Sequence, residues 1–169
     1  MRVICFISAL IFMCSGHAQK DTQLIQDEID QQVWGPFKKA FENLDGVALN
    51  SIYAEEVLRV TPNGIDTDND FKSKNLARFK VNKAEGITIA LDFWFDNRHT
   101  NLHTSYEVGF YRIGFTSKEG ETKFSYGQFH IVIKKIDGRW KITQDWDTTE
   151  INGDPITESN FAKKQPLRF

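Results

Sequence analysis

The stretch Lys134-Lys135-Ile136-Asp137-Gly138-Arg139-Trp140-Lys141-Ile142 decides the fold. Asp-Gly between two runs of alternating character marks a two-residue β-hairpin turn, because both central positions want positive φ. Counting outward from it sets a register: Trp140 opposite Lys135, Ile142 opposite Ile133, Gln144 opposite Ile131, Trp146 opposite Phe129. The same count sets His130 opposite Asp145. Opposed residues share a sheet face, so Phe129, Ile131, Ile133, Trp140, Ile142, Gln144 and Trp146 form an apolar side that requires cover. His130, Val132, Lys134, Lys141, Thr143, Asp145 and Asp147 form the other. One extra residue near Thr143, a β-bulge, would instead turn Asp145 and Asp147 to the apolar side.

Upstream, the period of two continues. Ile87, Ile89, Leu91, Phe93 and Phe95 alternate with polar or aromatic neighbours, and a further strand is expected over Thr104 to Phe115. Earlier still, the period changes. Leu24, Ile25, Ile29, Val33, Phe37, Ala40, Phe41 and Leu44 recur at three- and four-residue steps, the stripe of an amphipathic helix, which Gly35-Pro36 should kink. Val47, Leu49, Ile52 and Tyr53 suggest a short second helix. Val57 to Thr61 reads as a strand stopped by Pro62-Asn63-Gly64, and a helix is expected near Phe71 to Asn82. The order predicts an α+β domain: N-terminal helices packed on one face of a curved, mainly antiparallel sheet.

Arg2, the apolar run to Cys14 and the small-x-small ending Gly16-His17-Ala18 have the form of a secretory leader over residues 1–18, too short to span a bilayer. The expected organisation is therefore a leader at 1–18, one domain at 19–149 and a C-terminal extension at 150–169. The protein is expected to be exported, periplasmic or secreted, with no membrane contact once the leader is cleaved. Both cysteines lie in the leader, so thiol catalysis and cysteine-based metal sites are excluded from the mature chain. Net charge is −2, with 21 basic and 23 acidic residues; losing Arg2 makes it −3. That balance argues against nucleic acid as a partner.

The chain resembles the nuclear transport factor 2-like superfamily, which includes SnoaL-like cyclases, steroid delta-isomerases and scytalone dehydratase. The resemblance rests on Trp34-Gly35-Pro36-Phe37 with Ala40, on Leu44-Asp45-Gly46, on Ile52 to Val57 and on the hairpin above, and it spans about Thr22 to Asp147. It implies a cystatin-like cone, with the sheet curled around a cavity, and a homodimer through the outer sheet face. Steroid-isomerase chemistry is not implied. Phe37, Thr61 and Val132 stand where that family needs a tyrosine, a base and a second acid, and none of them can replace those groups.

For function, the aromatic lining leads to a non-catalytic binding domain for a small apolar or aromatic ligand. Its expected contacts are Trp34, Phe37, Phe41, Phe95, Tyr106, Phe110, Arg112, Gln144 and Trp146. An enzyme of lyase, hydrolase or isomerase type would use His130 with Asp145 or Glu107, a carboxylate beside an imidazole making a general base. A dimeric interaction domain is the third reading; Trp94 and Tyr111, expected on the outer face, would serve it. Asp96, His99 and His103 have ligand-like spacing, but their loop context does not support a metal site, and no cofactor is expected.

Overall fold

The computed structural model describes residues 22–169; the expected leader lies outside them. The described part of helix α1 covers 22–29, and a π-helical turn at Asp30–Trp34 joins it to α2 (Gly35–Glu42). The cause is Pro36, which has no N–H to donate and whose ring would crowd the preceding turn. The wider turn lets Gly35 N reach Asp30 O, and it aims Val33 and Trp34 into the core. α3 (Gly46–Ile52) is capped by Asp45, whose side chain accepts from Ala48 N. Tyr53, expected on that helix, is instead the first residue of strand β1 (Tyr53–Thr61). Then come β2 (Gly64–Asp66), α4 (Asp70–Ala84), β3 (Thr88–Thr100), β4 (Thr104–Thr116), β5 (Thr122–Ile136) and β6 (Arg139–Thr148). A small hairpin, β7 (Glu150–Ile151) with β8 (Asp154–Pro155), and one helical turn, α5 (Glu158–Phe161), end the chain.

The six long and short strands form one sheet in the order β2-β1-β6-β5-β4-β3. Only β1 and β6 pair in parallel. The helices pack on its concave face, where Val33, Leu49, Phe79, Phe93, Ile133 and Trp140 belong to one buried cluster. The expected fold class is the observed one.

The hairpin register holds for the first pairs, Trp140 with Lys135 and Ile142 with Ile133. Asp137 and Gly138 take φ of 49° and 77°, as the turn requires. Beyond Ile142 the ladder skips Thr143, whose hydroxyl donates to Val132 O at 3.2 Å. Thr143 is a bulge, and it inverts everything after it. Asp145 pairs Ile131 and Asp147 pairs Phe129 on the concave face, while Gln144 and Trp146 pair Val132 and His130 on the convex one. His130 and Asp145 are therefore not partners.

β4 also departs from the expected facing. Ser105, Glu107, Gly109, Tyr111 and Ile113 run beside Ile133, Ile131, Phe129, Gly127 and Ser125, so Tyr106, Phe110 and Arg112 point outward. Two glycines make this facing possible. A Cβ on Gly109 would lie 2.5 Å from the Phe129 ring and 2.2 Å from Trp94 O, and one on Gly127 would lie 2.3 Å from the Tyr111 ring. Each aromatic side chain thus occupies space vacated by a glycine on the neighbouring strand.

Residues 150–169 cover part of the convex face. Trp94 stacks on Phe110 at 4.7 Å, and Ile156 and Phe161 bury the pair. Trp94 Nε1 donates to Phe161 O at 2.7 Å. The tail then crosses the β3 edge: Leu167 N donates to Phe93 O at 2.9 Å, and the Phe169 ring lies 5.5 Å from that of Phe93. Glu42 and Lys38 of α2 occupy Leu91 N and O on the same edge. These contacts block backbone pairing with another chain at Leu91 and Phe93 of the edge strand.

Candidate functional site

The cone between helices and sheet is not filled. A cavity of about 190 Å³ remains, walled by Trp34, Phe37, Phe41, Phe93, Phe129 and Tyr111, with Leu49, Leu91, Ile113 and Ile131 completing the apolar surface. The rings brace one another: Trp34 stands 5.1 Å from Phe93 and 5.3 Å from Phe129, and Phe37 stacks on Phe41 at 6.0 Å. Such contacts fix the wall before any ligand arrives.

Into this apolar space projects one charged cluster from β1 and β6. Tyr53 Oη donates to Asp145 Oδ2 at 2.7 Å. Arg59 bonds the same oxygen through one terminal nitrogen and Asp147 Oδ2 through the other at 2.5 Å. The parallel pairing of Arg59 with Asp145 builds this geometry, and the Thr143 bulge completes it by turning both aspartates inward. Burial and the neighbouring Asp145 push the Tyr53 hydroxyl well above its ordinary value of 10.0. Burial opposes the Arg59 charge, but the Asp145 and Asp147 carboxylates outweigh it and keep the guanidinium firmly protonated. Asp147 is raised above 3.8, first by burial and then by Asp145, against the pull of Arg59. Across the cavity, burial and Asp147 push Tyr111 up to about 12. Arg59, Asn75 and Arg78 also line a second, more open groove, so the cone opens between β1 and α4.

No protein-family model matches the chain, and no curated protein matches it by sequence. Solved structures do. A nuclear transport factor 2-like protein of unknown function from Shewanella oneidensis superimposes with a TM-score of 0.56 at 22% identity, over 73% of this chain and 98% of that one. A nuclear transport factor 2-like superfamily protein from Salmonella enterica gives 0.56 at 13%, over 83% and 95%. A ketosteroid isomerase-like protein from Erwinia carotovora atroseptica gives 0.51 at 12%, over 72% and 95%. The chain has the nuclear transport factor 2-like fold.

Within that fold, the expected contact residues separate into three places. Trp34, Phe37 and Phe41 line the cavity, with Asp145 among its polar groups. Phe95 stands behind the wall, 5.2 Å from Trp34, with the Arg98 guanidinium 4.2 Å over its ring. Tyr106, Phe110, Arg112, Gln144, Trp146 and His130 are on the convex face, away from the cone. Arg112 there pairs Asp92 at 2.7 Å, and His130 Nε2 contacts Gln128 Oε1 at 3.1 Å. Tyr111, expected outside, is in the cavity wall because the β4 facing is inverted.

Glu107 faces the concave side but is sealed from the cavity. It is 0% exposed. Trp34 Nε1 donates to its Oε2 at 2.6 Å, while Ser105 Oγ and Arg98 reach Oε1 at 2.7 and 3.1 Å. Arg98 also holds Asp30 of the π turn with two bonds, 2.8 and 3.1 Å. Burial raises Glu107 above its ordinary value, and Arg98, Ser105 and Trp34 oppose that rise. With every oxygen occupied and no route to the cone, this carboxylate can orient Trp34 but cannot meet a ligand.

Tyr53, Arg59, Asn75, Arg78, Tyr111 and Asp147 line the cavity without being among the residues expected at the site. The one signal available in the sequence was the spacing Asp145-x-Asp147 beside a bulge-prone Thr143. Among the described residues, no group of three or more His, Cys, Asp or Glu side chains could hold a metal ion. His99 and His103 are not gathered with Asp96 into such a group.

Proposed function

We propose that this protein is an exported small-molecule binding domain whose site is the cone, and that its ligand is mainly apolar or aromatic with a polar end. One observation carries the reading: an aromatic-walled cavity of about 190 Å³ with a pre-paired polar cluster, Tyr53, Asp145, Arg59 and Asp147. A dry cavity of about 150 Å³ already accommodates benzene, so one substituted ring is the natural size. The leader-like residues 1–18 support export, and N-terminal sequencing of the mature form, expected to begin at Gln19, tests it. For the site, indole should broaden on binding in ligand-observed NMR. Ile113→Trp, which fills the cone, should abolish that broadening with the circular dichroism unchanged. Equal broadening by the filled variant would remove the cone as the site.

A second reading has one specific support. Asp147, raised by burial in an apolar cavity beside Tyr111, has the surroundings of a general acid or base. An enzyme of lyase or isomerase type would then act through Asp147 rather than through His130 or Glu107.

A further inference from the structure

Two cations, Arg59 and Arg78, border the cone and a third, Lys74, lines the groove beside it, and they differ in what already holds them. Arg59 is saturated by Asp145 and Asp147. Arg78 pairs no carboxylate among the described residues. Its hydrogen bond goes to Asn75 Oδ1 at 3.1 Å, and Asp147 acts on it only through space. Its guanidinium lies 5.6 Å from the Phe41 ring centre and 5.1 Å from that of Phe79, so two aromatic faces hold the planar fork in place. Lys74, one helical turn earlier on α4, lines the adjoining groove with Arg78 and likewise forms no salt bridge among the described residues. The groove's own acid, Asp66, accepts from the backbone N–H of Asp68, Asp70 and Phe71 at the start of α4 and acts on Lys74 only through space.

A chain of net charge −2 thus keeps two cations outside any salt bridge among the described residues where the aromatic cavity adjoins its groove. Building on the small-molecule reading above, we infer that the ligand is an aromatic or arylalkyl carboxylate, its ring in the cone and its carboxylate at the rim on Arg78 with Lys74. The orientation follows from charge. A carboxylate inserted first would meet Asp145 and Asp147, whereas one left at the rim meets a planar fork that matches it with two parallel N–H donors. Burial already pulls the Arg78 guanidinium below its ordinary value, and an arriving anion relieves that cost.

The test uses two probes of one shape, trans-cinnamate and cinnamamide, titrated by calorimetry into the intact mature protein at low salt. The acid should bind at least tenfold more tightly than the amide, and added salt should narrow the gap. Arg78→Met keeps an apolar stem over Phe41 and should erase the preference, the acid losing about tenfold more affinity than the amide. Lys74→Met should reduce the preference by a smaller factor. Equal affinities for acid and amide, a preference that survives in Arg78→Met, or no cinnamate binding by a protein that still binds indole would each overturn the inference alone. Failure of indole as well would take down the cavity reading beneath it.

Discussion

Glu107 and Asp147 are both acids on the concave face of one sheet, separated by the single strand β5, and they are held in opposite ways. Glu107 has three donors on its two oxygens and no exposed surface. Asp147 has Arg59 alone, keeps a side-chain exposure of 20%, and looks into the cavity. The difference originates in the backbone. The π turn before Pro36 drives Trp34 down between Glu107 and the cone, so its indole N–H closes one acid while its ring walls the space of the other. The bulge at Thr143 turns Asp147 inward to the cavity wall, where it keeps part of its surface open. A fully satisfied buried carboxylate specifies packing, and a partly satisfied one at a cavity is available for chemistry or recognition.

The largest expected effect falls on the sealed side. Glu107→Ala leaves the Trp34 indole N–H without its acceptor in a dry site and strips Arg98 of one of its two carboxylates, Asp30 remaining, and each buried donor left unpaired costs about 1–3 kcal/mol. Urea unfolding should show that loss together with a shift in tryptophan fluorescence. A loss below about 1 kcal/mol would mean that water reaches the Glu107 side, and the contrast with Asp147 would collapse.

The open side should answer to pH instead. Asp147 binds its proton more tightly in the folded chain than unfolded, since burial raises it above 3.8. Between the unfolded and folded values the native state holds more protons, so stability from this group is present below 3.8 and is lost as pH rises through the elevated value. Asp147→Asn has no such proton, and its stability should therefore catch up with wild type as pH climbs through that window. Chemical denaturation at a series of pH values reads the difference curve. A flat difference, or one of opposite slope, would place Asp147 with the ordinary surface carboxylates.

The same contrast explains which parts of the molecule were legible in the sequence. Near the Asp137-Gly138 turn, chemistry and geometry agree: Trp140 and Ile142 are the most apolar residues of their strand, and they are buried. Element order was readable for the same reason, because helix and strand periods persist across each segment. The site was not, since it lies where apolarity stops predicting the buried face. Beyond Thr143 the apolar Trp146 stands outside and the charged Asp145 and Asp147 inside, an inversion tolerated because Arg59 and Tyr53 offset the aspartates. On β4, Ser105, Glu107 and Gly109 look like an outer strip and Tyr106 and Phe110 like an inner one. Gly109 is needed under Phe129, and Phe110 finds its cover in the C-terminal segment, a partner remote in sequence that no local pattern announces.

The smallest expected effect belongs to His130. Simple alternation sends it to the convex face as half of a pair with Asp145; the bulge keeps it on that face and removes the partner. What remains is an exposed imidazole 3.1 Å from Gln128 Oε1, beside Trp146, which is 45% exposed. An exposed polar contact of this kind contributes about 0–1 kcal/mol, and no path connects the ring to the cone. His130→Ala should therefore leave the unfolding midpoint, the indole affinity and the Asp147-dependent pH slope unchanged. Sedimentation of the variant separates the remaining alternatives. His130, Trp146 and Tyr106 lie on a part of the convex face that residues 150–169 leave bare, so a fall in mass with the fold intact would assign that strip to contact between two copies. A loss of ligand binding instead would require the convex face to reach the cone, which the pairing of β5 with β6 does not permit.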